Sequence, residues 1–123
     1  MKLSIDYNTS RYTIMAYETG SVTINNNQYS QSLIVTPEAL ICPWEACSPE
    51  QLNRNHIEAL IDMKPEIILL GTGKTLSFPH PSLISIAMQQ GIGFEVMDTG
   101  SACRTFNVLA SEDRKVMAAI LMV

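Results

Sequence analysis

Two short apolar runs, one filling Glu66 to Leu70 after its first residue and one from Ile92 to Met97, each end in a small polar turn. A helix-length segment separates them. That order describes neighbouring strands of a parallel sheet, and it makes Pro65–Asn107 the organising stretch of the chain. A strand with no polar side must be covered on both faces, so the fold needs layers above and below the sheet. Turns at the carboxyl ends of parallel strands are where open α/β sheets place ligands. Gly71-Thr72-Gly73 and Asp98–Arg104 are those turns here.

The remaining segments fit around this stretch. Met1–Ser10 is mixed and polar, a loose start with room for one short strand. Tyr12–Tyr17 is rich in strand formers, Ser21–Ile24 alternates strictly and Gln28–Thr36 is another strand; broken by Gly20 and by Asn25-Asn26-Asn27, these pieces read as an antiparallel meander. Ala39–Cys42 is a further short strand stopped by Pro43. Trp44 is expected to plug the core beneath the hairpin region. Ser48-Pro49-Glu50-Gln51 reads as a helix start with a capping box. Leu52, His56 and Leu60 form its stripe, with Ile57 and Ile61 beside them. His56 is expected to be partly buried and hydrogen-bonded. Lys64 falls in the last turn and Pro65 stops the helix.

Phe78-Pro79-His80-Pro81 is a rigid link that places His80 on a surface loop. Pro81 and Ser82 open a second helix, which carries Leu83, Ile84, Ala87 and Met88 and ends near Gly91. Asp98 or Thr99 caps a third helix, whose buried stripe is Ala102, Phe106, Leu109 and Ala110. Lys115–Val123 closes the chain as an apolar, central strand. The expected fold is α/β. It is a three-layer single domain over 1–123, with a mixed central β-sheet flanked by helices and an N-terminal β-hairpin layer.

Composition narrows the function classes. Hydrophobic residues are 46% of the chain and charged residues only 16%, which argues against disorder. A net charge of −4 with no basic run excludes the usual nucleic-acid binder. No apolar run approaches the roughly 20 residues of a membrane helix, so an integral membrane protein is not expected. Three cysteines, Cys42, Cys47 and Cys103, fit reduced thiols in a cytoplasmic protein. Two distant histidines give no metal cluster, and neither metal nor cofactor is expected.

Gly71-Thr72-Gly73-Lys74-Thr75 invites a phosphate-loop reading and fails it. The Walker pattern needs a glycine where Ile68 stands, and the dinucleotide pattern needs one where Leu76 stands. Two glycines after a buried strand still permit close backbone approach, either to a ligand or to the neighbouring turn. At the second turn a helix N-terminus offers free N–H groups, Thr99 and Ser101 add hydroxyls, and Arg104 adds a planar cation. Asp98 competes for the same N–H groups, as a helix cap or as a partner of Arg104. Gly71, Thr72, Gly73, Thr99, Ser101, Arg104 and Asn107 are therefore the candidate ligand-binding residues. Cys103 is the candidate reactive thiol, because a cation one residue away favours the thiolate. A small buried thiol is the competing reading, and no histidine stands near it in sequence. No catalytic residue is assigned.

Gly71-Thr-Gly, Phe78-Pro79 and Met97-Asp-Thr-Gly-Ser-Ala-Cys-Arg-Thr-Phe-Asn-Val-Leu109 together resemble a widespread bacterial and archaeal family of unknown function. That family includes the mitochondrial assembly factor 3 of respiratory complex I. Pro43-Trp44 and Glu112–Ile120 fit the same pattern. The resemblance implies the three-layer domain already described and no established catalytic reaction, and its mitochondrial members imply a non-enzymatic assembly role. A start so close to the domain fits a bacterial, cytoplasmic member.

Three functions compete. A non-catalytic interaction or assembly domain acting on other proteins leads, and it requires an exposed apolar or polar-rimmed patch. A small-molecule or anion-binding domain at the paired turns is second. An enzyme using Cys103 is third.

Overall fold

The computed structural model describes residues 11–123, so the short strand expected within Met1–Ser10 lies outside the described residues. The order of elements is β1 (Ile14–Glu18), β2 (Ser21–Ile24), β3 (Asn27–Tyr29), β4 (Leu33–Val35), β5 (Leu40–Ile41), α1 (Arg54–Asp62), β6 (Ile67–Gly71), α2 (Pro81–Gln89), β7 (Gly93–Met97), α3 (Thr99–Ser111) and β8 (Val116–Ile120).

Five strands form the central sheet in the order β5-β4-β8-β6-β7. β6 pairs in parallel with both β7 and β8, whereas β4 runs antiparallel to β8 and to β5. All five residues of β8 are buried, as befits a strand in the middle of the order. The period of two sorts its side chains and those of β6 onto opposite faces. Ile68, Leu70, Met117 and Ala119 meet α1 and α2 on one face. Leu69, Val116, Ala118 and Ile120 share the other with α3 and the small β1-β2-β3 sheet. The domain thus has three layers around a mixed sheet.

The meander is shorter than its sequence pattern. Gln28–Thr36 is two strands, not one. β3 stays with the small antiparallel sheet, and after Ser32 the chain crosses to the central sheet as β4. Ser32 is buried at this crossing, where its Oγ accepts the Met122 N–H at 2.8 Å. Trp44 is buried, but not beneath the hairpins. It belongs to the α1/α2 face, with its ring edge-on to His56 at 6.0 Å between centroids.

The first helix begins later than its proline suggests. Pro49–Gln51 makes one 3-10 turn, and Ser48 makes no side-chain cap. Gln51 instead accepts the Cys47 N–H. Asn53 is the real cap. Its Oδ1 accepts the His56 N–H at 3.0 Å, and His56 Nδ1 accepts the Asn53 N–H at 3.1 Å. A histidine thus fills the place usually taken by Glu or Gln in a capping box. At the other end α1 closes at Asp62, and Lys64 adopts a left-handed φ of 59° instead of continuing the helix. On α2, Leu83 and Ala87 are buried while Met88 is exposed, a narrower stripe than the sequence suggests. On α3, Ala102, Cys103 and Phe106 are buried.

Asn53→Ala is expected to cost about 1 kcal/mol of stability. Ser48→Ala is expected to stay within about 0.5 kcal/mol of the parent. Urea denaturation of the two variants checks the start of α1.

Candidate functional site

The carboxyl ends of β6 and β7 lie side by side, with Gly71 paired to Met97. The two candidate turns therefore meet, and their hydrogen-bonding groups face each other. The Thr72 N–H donates to the Met97 carbonyl and the Thr99 N–H to the Gly73 carbonyl, both at 2.9 Å. The Gly73 N–H donates to Thr99 Oγ1 at 2.8 Å. Thr72 Oγ1 donates to the Thr75 carbonyl at 2.8 Å and accepts the Ser77 N–H at 3.1 Å, which shapes the start of the loop. Thr99 is 0% exposed and Thr72 2%.

Both glycines of the turn serve close approach between protein segments. A Cβ on Gly71 would come within 3.0 Å of Thr99 Oγ1, and one on Gly73 would run into the Val123 side chain. Gly73 also has a φ of 98°, a region glycine enters without steric cost.

The amino end of α3 carries the other candidates. Asp98 caps the helix, its Oδ1 accepting the Ser101 N–H and its Oδ2 the Ser101 hydroxyl, each at 2.9 Å. These bonds, with the nearby Arg104 charge, hold the Asp98 carboxyl below its ordinary pKa. Arg104 is exposed and reaches Ser101 Oγ at 3.2 Å, so the serine hydroxyl links the cap to the guanidinium.

Asn107, two turns further on, faces the small sheet. Its Oδ1 accepts the Ile14 N–H at 3.0 Å and its Nδ2 donates to the Ile14 carbonyl at 2.7 Å. One side-chain amide thus satisfies both backbone groups of Ile14, next to the irregularity in the β1–β2 register.

Cys103 is 6% exposed, and burial pushes its pKa up to about 11. Arg104 pulls the other way and is outweighed, because desolvation of a thiolate is the larger effect here. The thiol is therefore protonated at neutral pH.

The sequence candidates fall into two groups. Gly71, Thr72, Gly73 and Thr99 form a closed lock between two turns. Cys103, Arg104 and Asn107 line a shallow cleft of about 180 Å³ whose opposite wall is β1, from Ile14 to Tyr17. Ser101 stands between the groups. Sequence spacing gave no sign of the β1 wall, because a hairpin ninety residues away supplies it. Among the described residues no group of three or more His, Cys, Asp or Glu is placed to hold a metal ion.

Beyond the lock, the β6–α2 loop presents Leu76 and Phe78 to solvent, 53% and 64% exposed. Lys74 is exposed on the same loop.

Residues 14–121 match the family described as "Protein of unknown function (DUF498/DUF598)". The chain belongs to this family. It is 31% identical over 110 residues, 88% of its length, to the NADH dehydrogenase [ubiquinone] 1 alpha subcomplex assembly factor 3 of Xenopus tropicalis. It spans 60% of that assembly factor's own length. It is 27% identical over 106 residues to the 13 kDa major membrane protein of Francisella tularensis, covering 85% of this chain and 86% of that protein. A solved Xanthomonas campestris protein superposes with a TM-score of 0.86 and 34% identity, over 99% of this chain and 92% of that one. The family and the mixed α/β fold expected from the sequence are therefore both shown. Among the described residues no helix is long and apolar enough to cross a membrane.

Thr99→Val keeps the shape and removes the acceptor for the buried Gly73 N–H. It is expected to cost about 1–3 kcal/mol in urea denaturation. The depressed Asp98 pKa means its stabilising contribution is complete above the unfolded value of about 4 and is lost as pH falls through the folded one. Asp98→Asn should therefore flatten that part of the acid limb in thermal melts taken from neutral to low pH.

Proposed function

We propose that this protein is a non-catalytic interaction domain that assists the assembly of a multisubunit complex, and that it engages its partner protein through the β6–α2 loop. The observation that carries this reading is the match to assembly factors over 88% of the chain. The site chemistry supports it. The paired turns spend their donors and acceptors on each other, and the one thiol near a cation is buried and protonated. The loop supports it as well. Leu76 and Phe78 are large, apolar and exposed, on a segment anchored at its base by Thr72 and closed by Pro79 and Pro81. A rigid loop with an exposed aromatic residue suits a partner contact, since little order is lost on binding.

Site-specific photocrosslinking in the native host tests the proposal. A benzophenone amino acid at Phe78 should give one discrete protein adduct, while the same group at Glu58 on α1 gives none. Deleting the gene should lower the amount of the assembled complex that contains the trapped protein. Phe78→Ser should fail to restore it while melting like the parent protein. Absence of a position-specific adduct, together with unchanged complexes in the deletion strain, would overturn the reading.

A further inference from the structure

A cavity of about 500 Å³ lies at the end of the sheet opposite the paired turns. It opens where α1 and α3 finish and β6 and β8 begin, beside the β4–β5 turn. Four of the eight Lys and Arg residues of this acidic chain line it: Arg11, Lys64, Arg114 and Lys115. Its other wall is apolar, with Met63, Pro65 and Val116.

The charges divide into two pairs. Arg11 donates to the Ala110 carbonyl at 3.2 Å and lies 3.9 Å and 4.0 Å from the exposed carboxylates of Glu38 and Asp113. Arg114 pairs with Glu66 at 3.1 Å. Glu66 Oε1 also accepts the Lys115 backbone N–H at 2.9 Å, but among the described residues no carboxylate lies within 4.0 Å of the ammonium groups of Lys64 and Lys115, which precede the adjacent parallel strands β6 and β8. The carboxyl ends of α1 and α3 each carry roughly half a negative charge. Arg11 faces two carboxylates and Arg114 one, so the surplus carboxylate and the two helix ends together about balance the lysines, whose ammonium groups make no direct ion pair.

Backbone conformation sets Lys64 apart further. Its φ of 59° places it in the left-handed position after a helix, where glycine is the ordinary residue. Asp113, after α3 and also at the cleft, has a φ of 61°. Two of the three non-glycine residues with positive φ among those described thus border one cavity. At Lys64 a cation thus stands where glycine would be the easier residue.

We propose that this cleft binds a small organic anion, with its phosphate or carboxylate between Lys64 and Lys115 and its apolar body against Met63, Pro65 and Val116. The site is separate from the loop assigned to protein contact, and neither proposal depends on the other.

Titration of the isotope-labelled protein with phenyl phosphate, followed by amide chemical shifts, tests it. Saturable shifts are expected at the N–H groups of Thr36–Ala39, Met63–Glu66 and Asp113–Met117, Pro37 and Pro65 having none, with benzoate moving the same amides. Benzyl alcohol, which keeps the ring without the charge, should move none of them. Lys64→Gly and Lys115→Ala should each weaken binding about tenfold, the order expected for one charged hydrogen bond. Glycine suits the left-handed position, so Lys64→Gly should melt no lower than the parent, and its loss of binding is then not a loss of fold. Shifts that are absent, scattered, equal for benzyl alcohol, or unweakened in both variants would overturn the proposal.

Discussion

The architecture follows from burying β8 and β6 on both faces. Neither strand has a polar side, and each backbone group must still find a partner, so the two can exist only inside a sheet that is itself covered twice. The chain meets this demand with two different coverings. Helices α1 and α2 close one face, and α3 with the small sheet closes the other. Ala118 and Ala119 lie on opposite faces at the centre of β8, and their small side chains let both layers come close to its backbone. The added β layer is therefore structural, and α3 works as a beam between two sheets.

That organisation was largely legible in the sequence, because an unbroken apolar strand and a 3.6-residue stripe have few other readings. The central place of the last strand came from its want of polar residues alone. Local chemistry was less readable. Ser48-Pro49 carries a stronger textual signal for a helix start than Asn53, yet Asn53 caps, because the Asn53–His56 pair exchanges two hydrogen bonds and Ser48 makes none. The Gln28–Thr36 run hid a crossing between sheets, since no glycine or proline breaks it and the buried Ser32 marks the change. Trp44 was legible as buried, but its face was not, because that depends on which side of the sheet the connection to α1 takes.

The candidate site divides along the same line. Sequence could bring Gly71–Gly73 to Thr99, since both turns end adjacent parallel strands. It could not decide whether the small residues admit a ligand or one another. In the structure Gly73 donates to Thr99 at 2.8 Å and stands against the Val123 side chain, contacts between protein groups that spacing alone does not show. For Cys103, the neighbouring Arg104 was visible in sequence and the desolvation that outweighs it was not. The basic cleft at the far end had no sequence signature, because Arg11, Lys64 and Lys115 come from three separate parts of the chain.

Asn107 has a consequence of another kind. A small three-stranded sheet has two outer borders, and an unguarded border can recruit a strand from a second molecule. The carboxamide of Asn107 has the donor and acceptor of a peptide group, and it occupies Ile14 as a neighbouring strand would. It acts as a one-residue counterfeit of a β partner. At that point the layer is closed to lengthening, and the border stays an ordinary piece of a discrete molecule.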